Sequence, residues 1–363
     1  MGEKVKYLNN ADACYDYVVG KDDTDEFEDV KVVAKEICAG WAAASADQIS
    51  VKIVSGGITN RLYRLSWQNE SVLVRLYGDN TEAFIDRKVE NMLFAILSEQ
   101  GFAPTYYGRF TNGRIEGWMD ARPLEPEEMG LTTPVDFLSL VGKELGLMHQ
   151  FEVPLDKSKP VLWAKIDQFE HLASEIKMSD PVKLTQLLEL DLPTVRADLQ
   201  WLKSVLPSQL NDDGRELLAS LDDADEITKQ AFTFAHEVII DYEYGGYNFR
   251  GFDFANHFCE HCGFEMDLGL YPDPEQQFVF FRAYMQVKAP ELLASLEANK
   301  ESKAFFHALY PFVNRYALAS HLFWGFWAVV QAAHSKIDFD FLDYAQKRFN
   351  TFRFHRSFFF PPQ

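Results

Sequence analysis

Three groups of residues in this chain have the types and spacing to do chemistry. The densest begins at Ile240-Asp241-Tyr242-Glu243-Tyr244, where an apolar run ends in a carboxylate. An Asp emerging from a strand end is well placed to hold Mg²⁺, which takes oxygen ligands and keeps several waters. Tyr247, Asn248, Asp253, Asn256, His257 and Glu260 follow closely. So many polar groups beside a strand and a helix start exceed what packing needs, and they mark a site.

The second group is Ser55-Gly56-Gly57-Ile58-Thr59-Asn60, followed by Arg75 and Glu90. Exposed N–H groups of a glycine turn can cradle phosphate, and the same glycines suit an ordinary hairpin turn. The following element reads as a strand, so this is neither a Walker loop nor a dinucleotide fingerprint. Arg75 on a strand and Glu90 on the next helix match the cation and carboxylate with which protein kinases hold nucleotide phosphates. A surface salt bridge would have the same spacing.

The third group is Ala319-Ser320-His321-Leu322-Phe323-Trp324-Gly325-Phe326-Trp327. Trp324 and Trp327 are three apart and share one helical face. Paired aromatic faces attract an ammonium group, and they equally suit an aromatic core stripe. Cys259-Glu260-His261-Cys262 is a lone Cys-x-x-Cys. A zinc site needs a matching second half, and Cys14 and Cys38 do not supply one.

These groups need a scaffold. Ser50–Trp67 reads as strand, glycine turn, strand, and Ser71–Tyr77 as a third strand. Thr81–Gln100 has helical apolar spacing, and Ala103–Met119 reads as two strands around Asn112-Gly113. After Arg122-Pro123 the chain turns helical: Pro134–Gln150, Trp163–Ile176, Leu184–Leu206, Glu216–Phe232, Phe278–Tyr284, Lys303–Gln331 and Phe339–Phe352. Ala231–Tyr244 interrupts them as a strand-like piece. The acidic run Asp22–Asp29 reads as a solvated face.

Composition narrows the partners. The 363 residues carry 35 Lys+Arg against 55 Asp+Glu, a net charge of −20. That balance opposes broad binding to nucleic acid or anionic membrane. No apolar run is long enough for a transmembrane helix. Four cysteines make no disulfide framework, which fits a reducing, cytoplasmic setting.

The segments SGGITN, VLVRLYG, FAILSEQGFAPTYYG, ARPLEP, IDYEYGGYNFRGFDFANHFCE, LYPD, YALASHLFWGFWAVVQA and FDFLDYAQKRF resemble the choline/ethanolamine kinase family, from about Val51 to Phe352. The resemblance implies an α+β, protein-kinase-like bilobal fold. Its parts would be an N-terminal helical extension at 1–46, an N-lobe of antiparallel sheet plus helix at 47–120, and a mainly helical C-lobe at 121–363. It implies transfer of the ATP γ-phosphate, with Mg²⁺, to ethanolamine or choline, the first step of phosphatidylethanolamine or phosphatidylcholine synthesis. Gly56, Gly57 and Asn60 would cover the phosphates, Arg75 and Glu90 would orient them, and Asp241 would bind Mg²⁺. Tyr244, Glu260, Trp324, Trp327 and Tyr344 would line the amino-alcohol site, with Glu260 meeting the ammonium. A homodimer is an assembly the resemblance allows.

The chain departs from the family pattern at one place. The signature H-N-D-x-x-x-x-N should stand between an apolar strand and I-D-[FY]-E-Y. Here Phe234-Ala235-His236 leads directly into Glu237-Val238-Ile239-Ile240-Asp241. The base Asp and the metal-binding Asn of that loop are missing after His236, and no catalytic residue is identified. The expectation is one short strand carrying both His236 and Asp241, in a chain with little or no transfer activity. GITN and VRLYGDNTE resemble ethanolamine kinases more than choline kinases, and the segment after NHFCE holds a single aromatic, Phe264. An aminoglycoside-type phosphotransferase fits the fold class but not FWGFW and NHFCE.

Overall fold

The structure is a computed structural model. It describes residues 14–21, 24–54, 60–78, 81, 85–206, 221, 223–241, 246–335 and 337–361. The chain divides into two compact units. The first runs to Arg122 and includes His334–Phe339; the second holds the remaining described residues from Pro123 onward.

The first unit is built on a six-stranded sheet in the order β1-β5-β6-β4-β3-β2. Its strands are β1 (Cys14–Tyr15), β2 (Ser50–Val54), β3 (Arg61–Trp67), β4 (Glu70–Leu76), β5 (Tyr106–Phe110) and β6 (Gly113–Gly117). All neighbours are antiparallel except β1, which pairs parallel with β5. Alternate residues face opposite sides of a sheet. Leu65, Val72, Val74 and Ile115 therefore share one face, and they pack with Val30, Val33 and Ala34 of helix α1 (Glu26–Ile37) and with Trp41. The intervening residues, Arg75, Arg114 and Glu116, lie on the other face. Helix α2 (Arg87–Glu99) covers that side, with Phe94 against Tyr106. Asp86 caps α2 by accepting from the Lys88 and Val89 amides, which fixes its first turn.

Two expectations change here. The segment read as an extension contributes α1 to this core. Asp29, read as part of a solvated acidic face, is buried. It accepts from the Tyr17 hydroxyl at 2.7 Å, the Gly20 amide at 2.8 Å and the Thr24 hydroxyl at 2.5 Å. Burial pushes its carboxyl up, but these three donors more than offset that and hold it below the ordinary value of 3.8.

The second unit is mainly helical: α3 (Pro126–Met129), α4 (Phe137–Met148), α5 (Leu162–Glu175), α6 (Pro181–Glu189), α7 (Leu192–Val205), α8 (Glu226–His236), α9 (Arg250–Glu260), α10 (Pro274–Lys288), α11 (Pro290–Ala298), α12 (Ser302–His334) and α13 (Phe341–Phe359). Its two strands, β7 (Val238–Asp241) and β8 (Gly246–Phe249), pair antiparallel. Helix α12 is buried along most of its length. At Gly325 a Cβ would lie 2.3 Å from the Phe349 ring. Only glycine lets α12 approach α13 this closely.

The strand expected over Ala231–Tyr244 is corrected. Glu226–His236 is helix, and only Val238–Asp241 is strand, so His236 and Asp241 lie on different elements. Asp225 caps the helix through the Thr228 amide. Ala231, Phe232, Phe234, Ala235 and His236 are buried while Thr233 is exposed. That burial outweighs the strand preference of Phe and Thr. The helix expected over Leu184–Leu206 divides at Asp191, whose φ of 51° is left-handed; Leu192 then starts the next helix, with Pro193 supplying a preset φ in its first turn.

Candidate active site

In the first unit, Arg75 and Glu90 are joined through two residues between them. Arg75 Nε donates to Glu116 Oε1 at 2.7 Å, and Arg114 Nε donates to the same oxygen at 2.7 Å. Arg114 Nη1 then reaches Glu90 Oε1 at 2.8 Å, and Arg87 Nη1 reaches Glu90 Oε2 at 2.7 Å. Arg114 also lies 4.5 Å over the Phe94 ring. Burial pushes the Glu90 and Glu116 carboxyls up, but the arginines beside them more than offset it and hold both below the ordinary range. Three arginines against two glutamates leave one positive charge. Arg75 is the most exposed of the three, with a quarter of its side chain accessible, and its Nη1 has no partner among the described residues. A free guanidinium nitrogen on a cationic network fits a phosphate. Asn60 immediately precedes β3, while Gly56 and Gly57 lie outside the described residues.

In the second unit, Glu260 ends α9 and is exposed. Its Oε1 accepts from Arg348 Nη2 at 3.0 Å. Arg348 is buried and uses every nitrogen: Nε donates to the Tyr344 hydroxyl at 2.8 Å, and Nη1 to His321 Nδ1 at 3.3 Å. With Nδ1 accepting, His321 donates from Nε2 to His355 Nδ1 at 3.0 Å. This assignment follows from the partners. Burial holds both rings neutral, His321 well below the usual value and His355 at about 4. Burial likewise pushes the Tyr344 hydroxyl up to about 12.

Trp324 and Trp327 are perpendicular, their centroids 5.3 Å apart. Trp324 Nε1 and Ser320 Oγ both donate to Asn256 Oδ1 at 2.8 Å. Asn256 lies one turn before Glu260, so the indole is tied to the helix that carries the carboxylate. Trp327 is 1% exposed and packs behind Trp324 against Phe341. Phe264 meets Tyr344 edge-on at 5.6 Å. Glu260 and Tyr344 are thus joined through Arg348, the tryptophan pair is tied to the same helix α9 through Asn256, and Tyr244 lies outside the described residues.

Asp241 closes β7 opposite Gly246. Before it, the chain is fully committed to structure. His236 Nδ1 donates to the Phe232 carbonyl at 2.7 Å, and its ring stacks on Phe232 at 4.0 Å. Burial lowers its pKa to about 4. Glu237 Oε2 accepts from Arg250 Nη2 at 2.6 Å. Arg250 also donates to the Phe234 carbonyl at 2.9 Å and to the Tyr284 hydroxyl at 3.1 Å. Tyr284 in turn bonds His149 Nδ1 at 2.8 Å, and His149 Nε2 bonds Asp253 at 3.1 Å. Asp253 thus serves a buried histidine.

Cys259 and Cys262 are free and buried; burial pushes their thiols up to about 11 and about 12. Among the described residues, no group of three or more His, Cys, Asp or Glu is arranged to hold a metal. Arg114, Glu116 and Arg348 were not singled out in the sequence. The available signals were the two-residue spacing of Arg114 and Glu116 on one strand face, and Arg348 one turn beyond Tyr344.

Comparison with known proteins gives the family. Residues 51–353 match the family model described as choline/ethanolamine kinase. The chain is 32% identical over 332 residues to a probable ethanolamine kinase of Arabidopsis thaliana, covering 88% of this chain and 83% of that one. It is 36% identical over 313 residues to human ethanolamine kinase 2, covering 84% and 76%. Among solved structures, a Plasmodium vivax ethanolamine kinase superposes with TM-score 0.68 at 24% identity, covering 92% of this chain and 90% of that one. A Cryptosporidium parvum choline kinase gives 0.66 at 25%, covering 90% and 94%. The fold is kinase-like, and the chain belongs to the choline/ethanolamine kinase family. Membership implies ATP as phosphoryl donor and a divalent cation. No helix among the described residues is long and apolar enough to cross a membrane.

Proposed function

We propose that this chain binds MgATP and ethanolamine in the manner of an ethanolamine kinase, and that this polypeptide transfers phosphate far more slowly than its family. Arg75, with Gly56, Gly57 and Asn60, holds the phosphates. Asp241 holds Mg²⁺, which would neutralise charge on the transferring phosphoryl group. Glu260 receives the ammonium, with Tyr344, Trp324, Trp327 and Tyr244 around it. The observation that carries the substrate choice is the Glu260–Arg348–Tyr344 triad. Arg348 occupies Oε1 and leaves Oε2 as an acceptor. A primary ammonium can donate to it; a trimethylammonium cannot and would depend on aromatic faces. Trp327 and Tyr344 are almost wholly buried, so few such faces are accessible.

Slow transfer follows from the junction at His236. The kinase base is an Asp on a separate loop. Here His236 ends a helix, Glu237 pairs with Arg250, and β7 begins at Val238. A positioned base and a transition-state contact each contribute about 10² or more. The reading places the protein in the cytoplasm as a homodimer. Two measurements test it. Equilibrium binding with labelled amines should show ethanolamine bound more tightly than choline. A coupled ATP assay should give turnover several orders of magnitude below the 1–100 s⁻¹ typical of kinases; turnover in that range would overturn the claim of slow transfer. Sequencing the transcript across the His236 and Glu237 codons tells a shortened splice form from a chain encoded without the loop.

A further inference from the structure

We infer that Glu116, with Arg114, is a positioning residue that aims Arg75 at a nucleotide phosphate; the inference rests on the nucleotide reading above. Arg75 and Arg114 are directly opposite each other between β4 and β6, and Arg109 is directly opposite Arg114 on β5. Like charges facing across a ladder repel. Arg75 and Arg114, adjacent in this row, therefore need a carboxylate between them. Glu116, two residues along from Arg114, is on the same face and takes that place. Its Oε1 receives Nε of both Arg75 and Arg114. Its side chain is 4% exposed, so this charge is committed to the row and not to solvent.

The contact also sets direction. Arg75 meets Glu116 through Nε at 2.7 Å and Nη2 at 3.5 Å. Two points of contact on one edge fix the plane of a guanidinium and present the remaining edge outward. In protein kinases the strand cation meets the helix carboxylate directly. Here Glu90 on α2 reaches Arg75 only through Arg114 and Glu116, so the β6 pair carries the alignment.

The test compares MgATP with adenosine on the full chain, as wild type, Glu116→Asp and Glu116→Gln. Glu116→Asp keeps the charge but shortens its reach. It should weaken MgATP binding on the order of tenfold, about one charge-assisted hydrogen bond, and leave adenosine affinity unchanged. Glu116→Gln should weaken MgATP further; if it fails to fold, Glu116→Asp decides alone. Equal loss for both ligands would show general damage to the lobe and overturn the inference, as would no loss for either. If the wild type itself does not bind MgATP, the nucleotide reading fails, and that result is seen before any variant is compared.

Discussion

Arg114 in the first unit and Arg348 in the second are both buried, each with side-chain partners on several sides, but their surroundings differ in charge. Arg114 bonds two carboxylates that are themselves 4% and 17% exposed, within a network that keeps an excess positive charge. Arg348 bonds one carboxylate, Glu260, whose side chain is 47% exposed, and otherwise meets neutral groups, a tyrosine and a histidine. The first arrangement suits holding an anion. The second offsets the charge of Glu260 with Arg348 and leaves a directional acceptor, so on the proposed reading a cation would be chosen there by hydrogen-bond geometry more than by field strength. On the proposed reading, an acidic chain would hold a polyphosphate with a few local arginines.

Acid should separate the two units most strongly. Eight of the nine histidines belong to the second unit, His334 being the exception. Burial holds His236, His261 and His355 at about 4 and His257 at about 3, against an ordinary 6.5. Between those values the unfolded chain binds protons that the folded chain does not. Their contribution is complete above pH 6.5 and is lost as pH falls toward 4. In the first unit, Glu90, Glu116 and Asp29 are held below their ordinary 4.5, 4.5 and 3.8. Their contribution persists until pH falls below those values. Hydrogen exchange read peptide by peptide should show the second unit losing protection first on acidification. The reverse order would break the comparison.

Next in size is Arg114→Met. It removes one charge-assisted hydrogen bond from each of two buried carboxylates, leaving Glu90 to Arg87 and Glu116 to Arg75, and should cost about 3–5 kcal/mol in denaturant unfolding. Arg348→Met should cost less, about 1–3 kcal/mol, because Glu260 can turn to water and the main loss is to the buried Tyr344 and His321 partners. Equal losses would mean that the exposure of the remaining carboxylate does not control the cost.

Strands β2 to β6 of the first unit were legible because they are β-branched, apolar runs set off by turns such as Asn112-Gly113, as in Val72-Leu73-Val74 of β4; β1, two residues long, was not. The role of Glu116 was not, because it depends on the register of β6 against β4, which local pattern does not carry. Glu260, the tryptophan pair and Tyr344 were legible as residue types on helical spacings. Arg348 was hidden because its partners come from three helices. The helix ending at His236 was misread because Thr233 and Phe234 favour strand locally, while the Asp225 cap and the burial of one face decide otherwise.

The cysteines offer a practical handle. Cys14 lies exposed on β1, the edge strand, while Cys38, Cys259 and Cys262 are buried, their thiols pushed up to about 12, about 11 and about 12. Thiolate is the reactive form. A maleimide dye added to the native protein should therefore attach once, at the border of the sheet, giving a defined optical reporter on the first unit without removing any native cysteine.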